Sequence, residues 1–253
     1  MARITTIMNQ KGGVGKTTTA HTLATGLILR GYNCLVVDAD PQGNISFAMQ
    51  ADTQRPGLYE AMRGEAATND AIQRTNQGDI IASSLFLAGA DMEFTQTGRE
   101  YRLREVLEEI STDYTHIIID CPPSLGILAI NSLTASTDVI IPVGAEIFAL
   151  QGLQQLLTTI GKVRKYSNPD IAIAGLLITR KANRAIATRD LIEAINKNAD
   201  SLALHVYGSI IREGVAIREA QIMQDSIFST APASKVAEDY NNFIDEYLTQ
   251  GRA

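Results

Sequence analysis

The first chemistry legible in this chain lies just after its amino terminus, in Lys11-Gly12-Gly13-Val14-Gly15-Lys16-Thr17-Thr18. Glycines let a backbone approach an anion closely, and the apolar run 4–8 before them and the helical periodicity of 16–30 after them supply a strand and a helix. A strand, a glycine loop and a helix opening on Lys-Thr form a phosphate cradle, with successive N–H groups and the helix N-terminus aimed at the anion. Gly12, Gly13, Val14, Gly15, Lys16, Thr17 and Thr18 are therefore the expected nucleotide-binding residues, with ATP and Mg2+ as ligands. In that reading Lys16 bridges the β- and γ-phosphates, and the Thr17 hydroxyl ligates magnesium.

The usual pattern, G-x-x-x-x-G-K-[ST], is not met. Gln10 stands where its first glycine belongs, and a second lysine, Lys11, opens the loop. A lysine at that point has difficulty reaching the γ-phosphate of its own nucleotide. Reaching across a dimer interface is the more economical hypothesis.

Acids end two further apolar runs. Asp120 follows Ile117-Ile118-Ile119 and suits the carboxylate that holds magnesium through water. Asp38 and Asp40 lie two residues apart at the end of Cys34-Leu35-Val36-Val37 and share a side if the strand continues. One of them suits magnesium, the other the orientation or activation of an attacking water. The expected metal residues are thus Thr17, Asp38 and Asp120, and the expected catalytic residues Lys11, Lys16 and Asp40.

Positioning these groups requires strand ends brought to one edge. Apolar runs at 34–38, 117–120, 139–143 and 171–179 alternate with amphipathic helices expected at 100–110, 125–135, 149–166, 187–198 and 235–249. Continuous apolar strands separated by helices predict an α/β fold of three layers, a mostly parallel sheet with helices on both faces. Residues 50–98 are the least legible, with short helices and one strand near Ile80. No linker or composition shift interrupts the chain, so residues 1–253 read as a single domain.

The net charge of −6 excludes a uniformly basic nucleic-acid binder. Ten Lys/Arg against six Asp/Glu between Gly161 and Ala220 nevertheless make that stretch +4, leaving −10 for the remainder. Cys34 and Cys121 are isolated and sit in apolar runs, which suggests buried reduced thiols rather than a zinc site or disulfide. No apolar run approaches the roughly 20 residues that span a bilayer. The run leading straight into the phosphate loop leaves no room for a signal peptide. A cytoplasmic protein is expected.

Together the motifs resemble the ParA/MinD family of deviant Walker A ATPases, a branch of the P-loop NTPases. The matching residues are Lys11–Thr18, Val37-Asp38-Ala39-Asp40-Pro41-Gln42-Gly43-Asn44 and Ile118-Ile119-Asp120-Cys121-Pro122-Pro123-Ser124-Leu125-Gly126. The Asp-Pro-Gln-Gly-Asn segment points to the ParA/Soj branch. The resemblance implies a homodimer formed on ATP, with Lys11 acting on the partner's nucleotide and Asp40 needed for hydrolysis. It implies slow turnover until a ParB-like or small adaptor protein stimulates it. It also implies non-specific binding of double-stranded DNA, nucleoid association in the ATP form, and segregation or positioning of DNA or other cargo. Arg218, in Val215-Ala216-Ile217-Arg218-Glu219-Ala220, resembles an arginine of the family's DNA-contacting stretch, and Arg189 is a second candidate. Phosphate contacts of this kind are salt-sensitive and blind to sequence. Ile211-Arg212-Glu213 departs from the family's Ile-Pro-Arg-Asn, which puts base recognition there in doubt. No helix-turn-helix region precedes the loop, so operator repression is not expected.

The main alternative is a MinD-like membrane-cycling ATPase, which needs a basic amphipathic C-terminal helix. The segment 237–248 is acidic instead, and anionic lipid would repel it. An iron–sulfur protein sharing the deviant loop would need two suitably placed cysteines, which Cys34 and Cys121 do not provide. A metabolic P-loop kinase would need a substrate lid or acceptor site, of which no signature is visible.

Overall fold

The computed structural model describes residues 1–145, 149–180 and 186–250, without the side chains of 149–151 and 186–189. Its seven strands are β1 (Arg3–Ile7), β2 (Cys34–Asp38), β3 (Ile72–Thr75), β4 (Gly78–Ile81), β5 (His116–Asp120), β6 (Asp138–Gly144) and β7 (Ala172–Thr179). They form one sheet in the order β3-β4-β2-β5-β1-β6-β7. Every neighbouring pair is parallel except β3 and β4, a hairpin at one edge. The α/β architecture with a mostly parallel sheet is thus as expected.

The side-chain alternation of each strand divides the core. Val36, Ile80, Ile118 and Ile140 face a layer built from the helices Lys16–Leu29 and Lys235–Gln250, with Leu23, Leu27, Tyr240, Phe243 and Ile244 fully enclosed. Leu35, Val37, Ile117 and Ile119 face the opposite layer, where Leu58, Leu103, Leu107 and Leu128 cover them. Val139, Ile141, Leu176 and Ile178 are covered by the helices Ala149–Tyr166 and Ile186–Ser201. Strands buried on both faces need no polar positions, which is why they read as uninterrupted apolar runs.

The helix Lys235–Gln250 turns Val236, Tyr240, Phe243, Ile244 and Tyr247 into this core. Its apolar face is therefore spent on packing. No helix among the described residues is long and apolar enough to cross a membrane.

Several boundaries differ from expectation. The helix expected at 100–110 begins with a 3-10 turn, Arg99–Tyr101, and is α-helical only over Arg102–Glu108. The helix expected from 125 starts at Ile127 behind Gly126. The strand near Ile80 is present as β4, and its antiparallel partner β3 is an addition. Val215–Ile222 forms a short helix that the sequence reading lacked.

Parallel strands pointing one way bring their carboxyl ends to a common edge. The adjacent register of β2, β5 and β1 sets Asp38 opposite Asp120 and Asp120 opposite Ile7, with the glycine loop starting just beyond. Ligands of open α/β sheets bind outside these carboxyl ends.

Candidate functional site

A crevice of about 610 Å³ lies at that edge, lined by Gly12, Gly13, Gly15, Lys16, Thr17 and Thr18 on one side and by Asp40, Gln42, Asn44 and Pro123 on the other. The loop is shaped by Gly13 (φ 74°) and Gly15 (φ 88°), both left-handed, a conformation in which a Cβ is strained. Gly15 is also the residue before the helix Lys16–Leu29, so the turn and the helix start coincide.

The protein holds the loop by its carbonyl groups. Arg180 Nη1 donates to the Gly13 carbonyl at 3.0 Å, the Thr179 hydroxyl to that of Val14 at 2.8 Å, and Lys16 Nζ to that of Lys11 at 3.2 Å. Asn9 accepts from the Lys11 N–H at 3.0 Å and donates to the Pro142 carbonyl at 2.7 Å, fixing the loop's entry against β6. Among the described residues, the first backbone donor after this entry to bond a carbonyl is Thr19, which bonds Gly15 at 2.8 Å. Bonding the carbonyls outward leaves the amides between as the groups that meet an anion. Burial lowers the Lys16 ammonium's pKa, opposed by the charges of Asp120 and Asp40.

The three carboxylates differ sharply. Asp38 is enclosed: Oδ1 accepts from the Asp40 N–H at 3.1 Å, and Oδ2 accepts from the Ser46 N–H at 3.0 Å and the Ser46 hydroxyl at 2.6 Å. Burial pushes its carboxyl up to about 7 against those hydrogen bonds. Asp40 lines the crevice, only 7% exposed, with Oδ1 accepting from the Gln42 N–H at 3.0 Å. Both oxygens of Asp120 are buried with no hydrogen-bond partner of good geometry. Burial and the neighbouring Asp38 hold its carboxyl well above the usual range, opposed by the Thr17 hydroxyl and Lys16.

An orphaned buried carboxylate beside a hydroxyl and an ammonium group suits a hard divalent cation, which takes oxygen ligands. The donor set of Asp120 and Thr17 therefore fits magnesium. Asp38 is less suited to direct ligation, because its own oxygens already organise the 38–46 turn.

A second hollow of about 500 Å³ adjoins the loop, lined by Gly13, Thr18, Thr179, Arg180, Glu213 and Arg218 among others. Glu213 pairs with Arg180 at 3.2 Å. Arg212 is engaged elsewhere, with Nε and Nη2 each 2.6 Å from Asp239. Arg218 sits on the exposed side of the helix Val215–Ile222, with no ion-pair partner among the described residues. Arg189 falls in the helix Ile186–Ser201, but its side chain lies outside the described residues.

Sequence reasoning missed Ser46, Ser83, Thr179 and Arg180. The last two close the apolar run of β7 at the carboxyl edge, a position that is itself a signal. Ser46 and Ser83 belong to stretches with no distinctive pattern. Cys34 and Cys121 are both buried, and burial raises both thiols, that of Cys121 up to about 12. No cluster of His, Cys, Asp and Glu able to hold a metal by itself occurs among the described residues. Both thiols are enclosed in the core.

Comparison with known proteins agrees with this geometry. The family model described as an AAA domain matches residues 2–173. The chain is 40% identical to the sporulation initiation inhibitor protein Soj of Bacillus subtilis, over 99% of this chain and 100% of that protein. It is also 40% identical to the chromosome partitioning protein ParA of Caulobacter vibrioides, over 86% and 83%. Among solved structures, cobyrinic acid a,c-diamide synthase from Mycobacterium smegmatis with bound ATP analog and magnesium superposes with a TM-score of 0.87. That match is 33% identical and covers 100% of this chain and 97% of the other. With its deviant glycine loop, its carboxylate-ended strands and this full-length likeness, the chain belongs to the ParA/Soj family of deviant Walker A P-loop proteins.

Proposed function

We propose that the protein is a magnesium-dependent ATPase that dimerises on ATP, binds double-stranded DNA without sequence preference and serves DNA segregation or cargo positioning. The observation that carries the reading is the crevice itself, lined by Lys16, Thr17 and Asp40, with the buried Asp120 carboxylate within electrostatic reach of all three. The relatives are named as partitioning proteins, and a structural neighbour holds an ATP analogue with magnesium.

In this account the amides of the glycine loop and Lys16 bind the phosphates. Asp120 and Thr17 would hold magnesium, with Asp38 behind them setting the turn that carries Asp40. Magnesium, when bound, supplies positive charge to the γ-phosphate oxygens. Asp40, bordering the crevice, accepts a hydrogen bond from the attacking water and orients it. Lys11 acts on the nucleotide of the second copy, which ties hydrolysis to dimer formation. Slow turnover awaits a ParB-like or small adaptor partner. Residues 1–253 act as one ATPase unit.

Arg218 and Arg189 are the proposed DNA contacts. The exposed guanidinium of Arg218, without an ion-pair partner among the described residues, supports this for the first, and its place beside the loop hollow would couple DNA affinity to nucleotide state. Two copies double the contacts and offset the net charge of −6. The buried apolar face of the C-terminal helix disfavours a membrane cycle. The test is retention of arbitrary duplex DNA by the wild type. Binding that requires ATP and falls with salt supports the reading, and ATP-dependent sedimentation with anionic vesicles in place of DNA overturns it.

A further inference from the structure

The segment after β4 contacts the turn that carries Asp40 and, further along, the helix that follows the Asp120 loop. Ser83, 2% exposed, donates from its hydroxyl to the Asp40 carbonyl at 2.6 Å, while its N–H donates to the Ser46 hydroxyl at 2.9 Å. Ser46 in turn holds Asp38. Eight positions further on, Asp91 Oδ1 accepts from the Ile127 N–H at 2.6 Å, across 36 residues of sequence.

That second bond is an N-cap supplied from elsewhere in the chain. The helix Ile127–Ala135 is preceded by Gly126, which has no side chain to cap it. A Cβ on Gly126 would lie 2.5 Å from Asp91 Oδ2, so the glycine and the distant carboxylate are a matched pair. Between Asp120 and this cap runs the loop 121–126, whose Pro123 borders the crevice opposite Lys16. Leu87, Ala90 and Phe94 pin the segment itself into the core beside Val37, Ala39 and Ile119.

We propose that Ser83 and Asp91 are positioning residues, and that the segment 82–94 is a strap holding the Asp40 turn and the loop behind Asp120 in register. This rests on the hydrolytic reading of the crevice. Neither side chain reaches the phosphate loop, so nucleotide binding rests on the loop and turnover on the strap. Loosening either end lets the Asp40 carboxylate and the 121–126 loop drift apart, which costs orientation at the reacting centre.

The test compares wild type, Asp91→Ala, Asp91→Asn and Ser83→Ala in the full chain. Asp91→Ala and Ser83→Ala should lower kcat about tenfold while KM stays within about twofold. Asp91→Asn, which keeps a carbonyl acceptor for the Ile127 N–H, should recover most of the rate. An Asp91→Ala protein with wild-type kcat, or an Asp91→Asn protein as impaired as Asp91→Ala, overturns the proposal. A wild type without turnover overturns the hydrolytic reading instead, and amide hydrogen exchange then decides the strap alone. Asp91→Ala should speed exchange both in 121–128 and in 39–46. Faster exchange confined to the first turn of the helix Ile127–Ala135 overturns the strap.

Discussion

Replacing Asp120 by asparagine should raise the stability of the nucleotide-free protein and abolish its response to magnesium. Both Asp120 oxygens are buried with no hydrogen bond of good geometry, between Asp38 across the strand pair and the turn bearing Asp40, with the Thr17 hydroxyl and Lys16 as the compensating groups. A buried polar group left unsatisfied costs about 1–3 kcal/mol, more when charged. Asparagine leaves the same buried atoms without hydrogen-bond partners but takes away the charge, so about 1–2 kcal/mol should return. For a chain of this size that corresponds to a rise in Tm of about 2–8 °C. With ligand the order should invert. A site at 100 times its Kd stabilises by about 2.7 kcal/mol, and the magnesium-dependent part of that increment should disappear in the variant. The assay is thermal unfolding of wild type and Asp120→Asn, each alone, with ATP and chelator, and with ATP and magnesium. An apo variant less stable than wild type that still gains the full magnesium increment would refute the assignment of Asp120.

Other outcomes follow from packing and charge. Gly26→Ala places a Cβ 2.3 Å from Ile244 Cδ1 and 3.0 Å from Phe228, an overlap that should outweigh the roughly 1 kcal/mol alanine gains inside a helix and leave a net cost of about 1 kcal/mol in urea unfolding. His116, buried and near Arg3, has its pKa lowered to about 4. The fold thus favours the neutral ring. This contribution is complete above the unfolded value near 6.5 and is lost as pH falls from there towards 4. Allowing for solvent at the ring edge, about 1–2 kcal/mol should vanish between pH 7 and pH 4, and His116→Gln should flatten that slope. Arg218→Ala should weaken binding of any duplex and reduce the steepness of its salt dependence, read by titration at several salt concentrations. An unchanged slope removes Arg218 from the DNA face.

The glycine loop and the sheet were legible because each signal is local. Ile117-Ile118-Ile119-Asp120 states its own burial and ends where the carboxylate is needed. The hairpin strand β3 was not legible, because Gln73, Arg74 and Thr75 lie at an edge where polar side chains are tolerated. The helix Val215–Ile222 is too short for its periodicity to stand out. Asp38 and Asp120 look alike as strand-end acids. What separates them is Ser46, eight residues after Asp38, which satisfies one carboxylate and leaves the other open. The cap from Asp91 to Ile127 joins residues 36 apart, and no spacing rule reaches that far.

The central claim, a nucleotide-driven dimer switch, is tested most directly by the solution mass of the Asp40→Ala protein with and without ATP and magnesium, measured by light scattering. Removing the proposed water-orienting carboxylate should trap the ATP state. The account predicts a monomer mass alone and a doubled mass with the nucleotide, reverting to monomer when Lys11→Ala is added. A protein that binds ATP and remains at the monomer mass would contradict it.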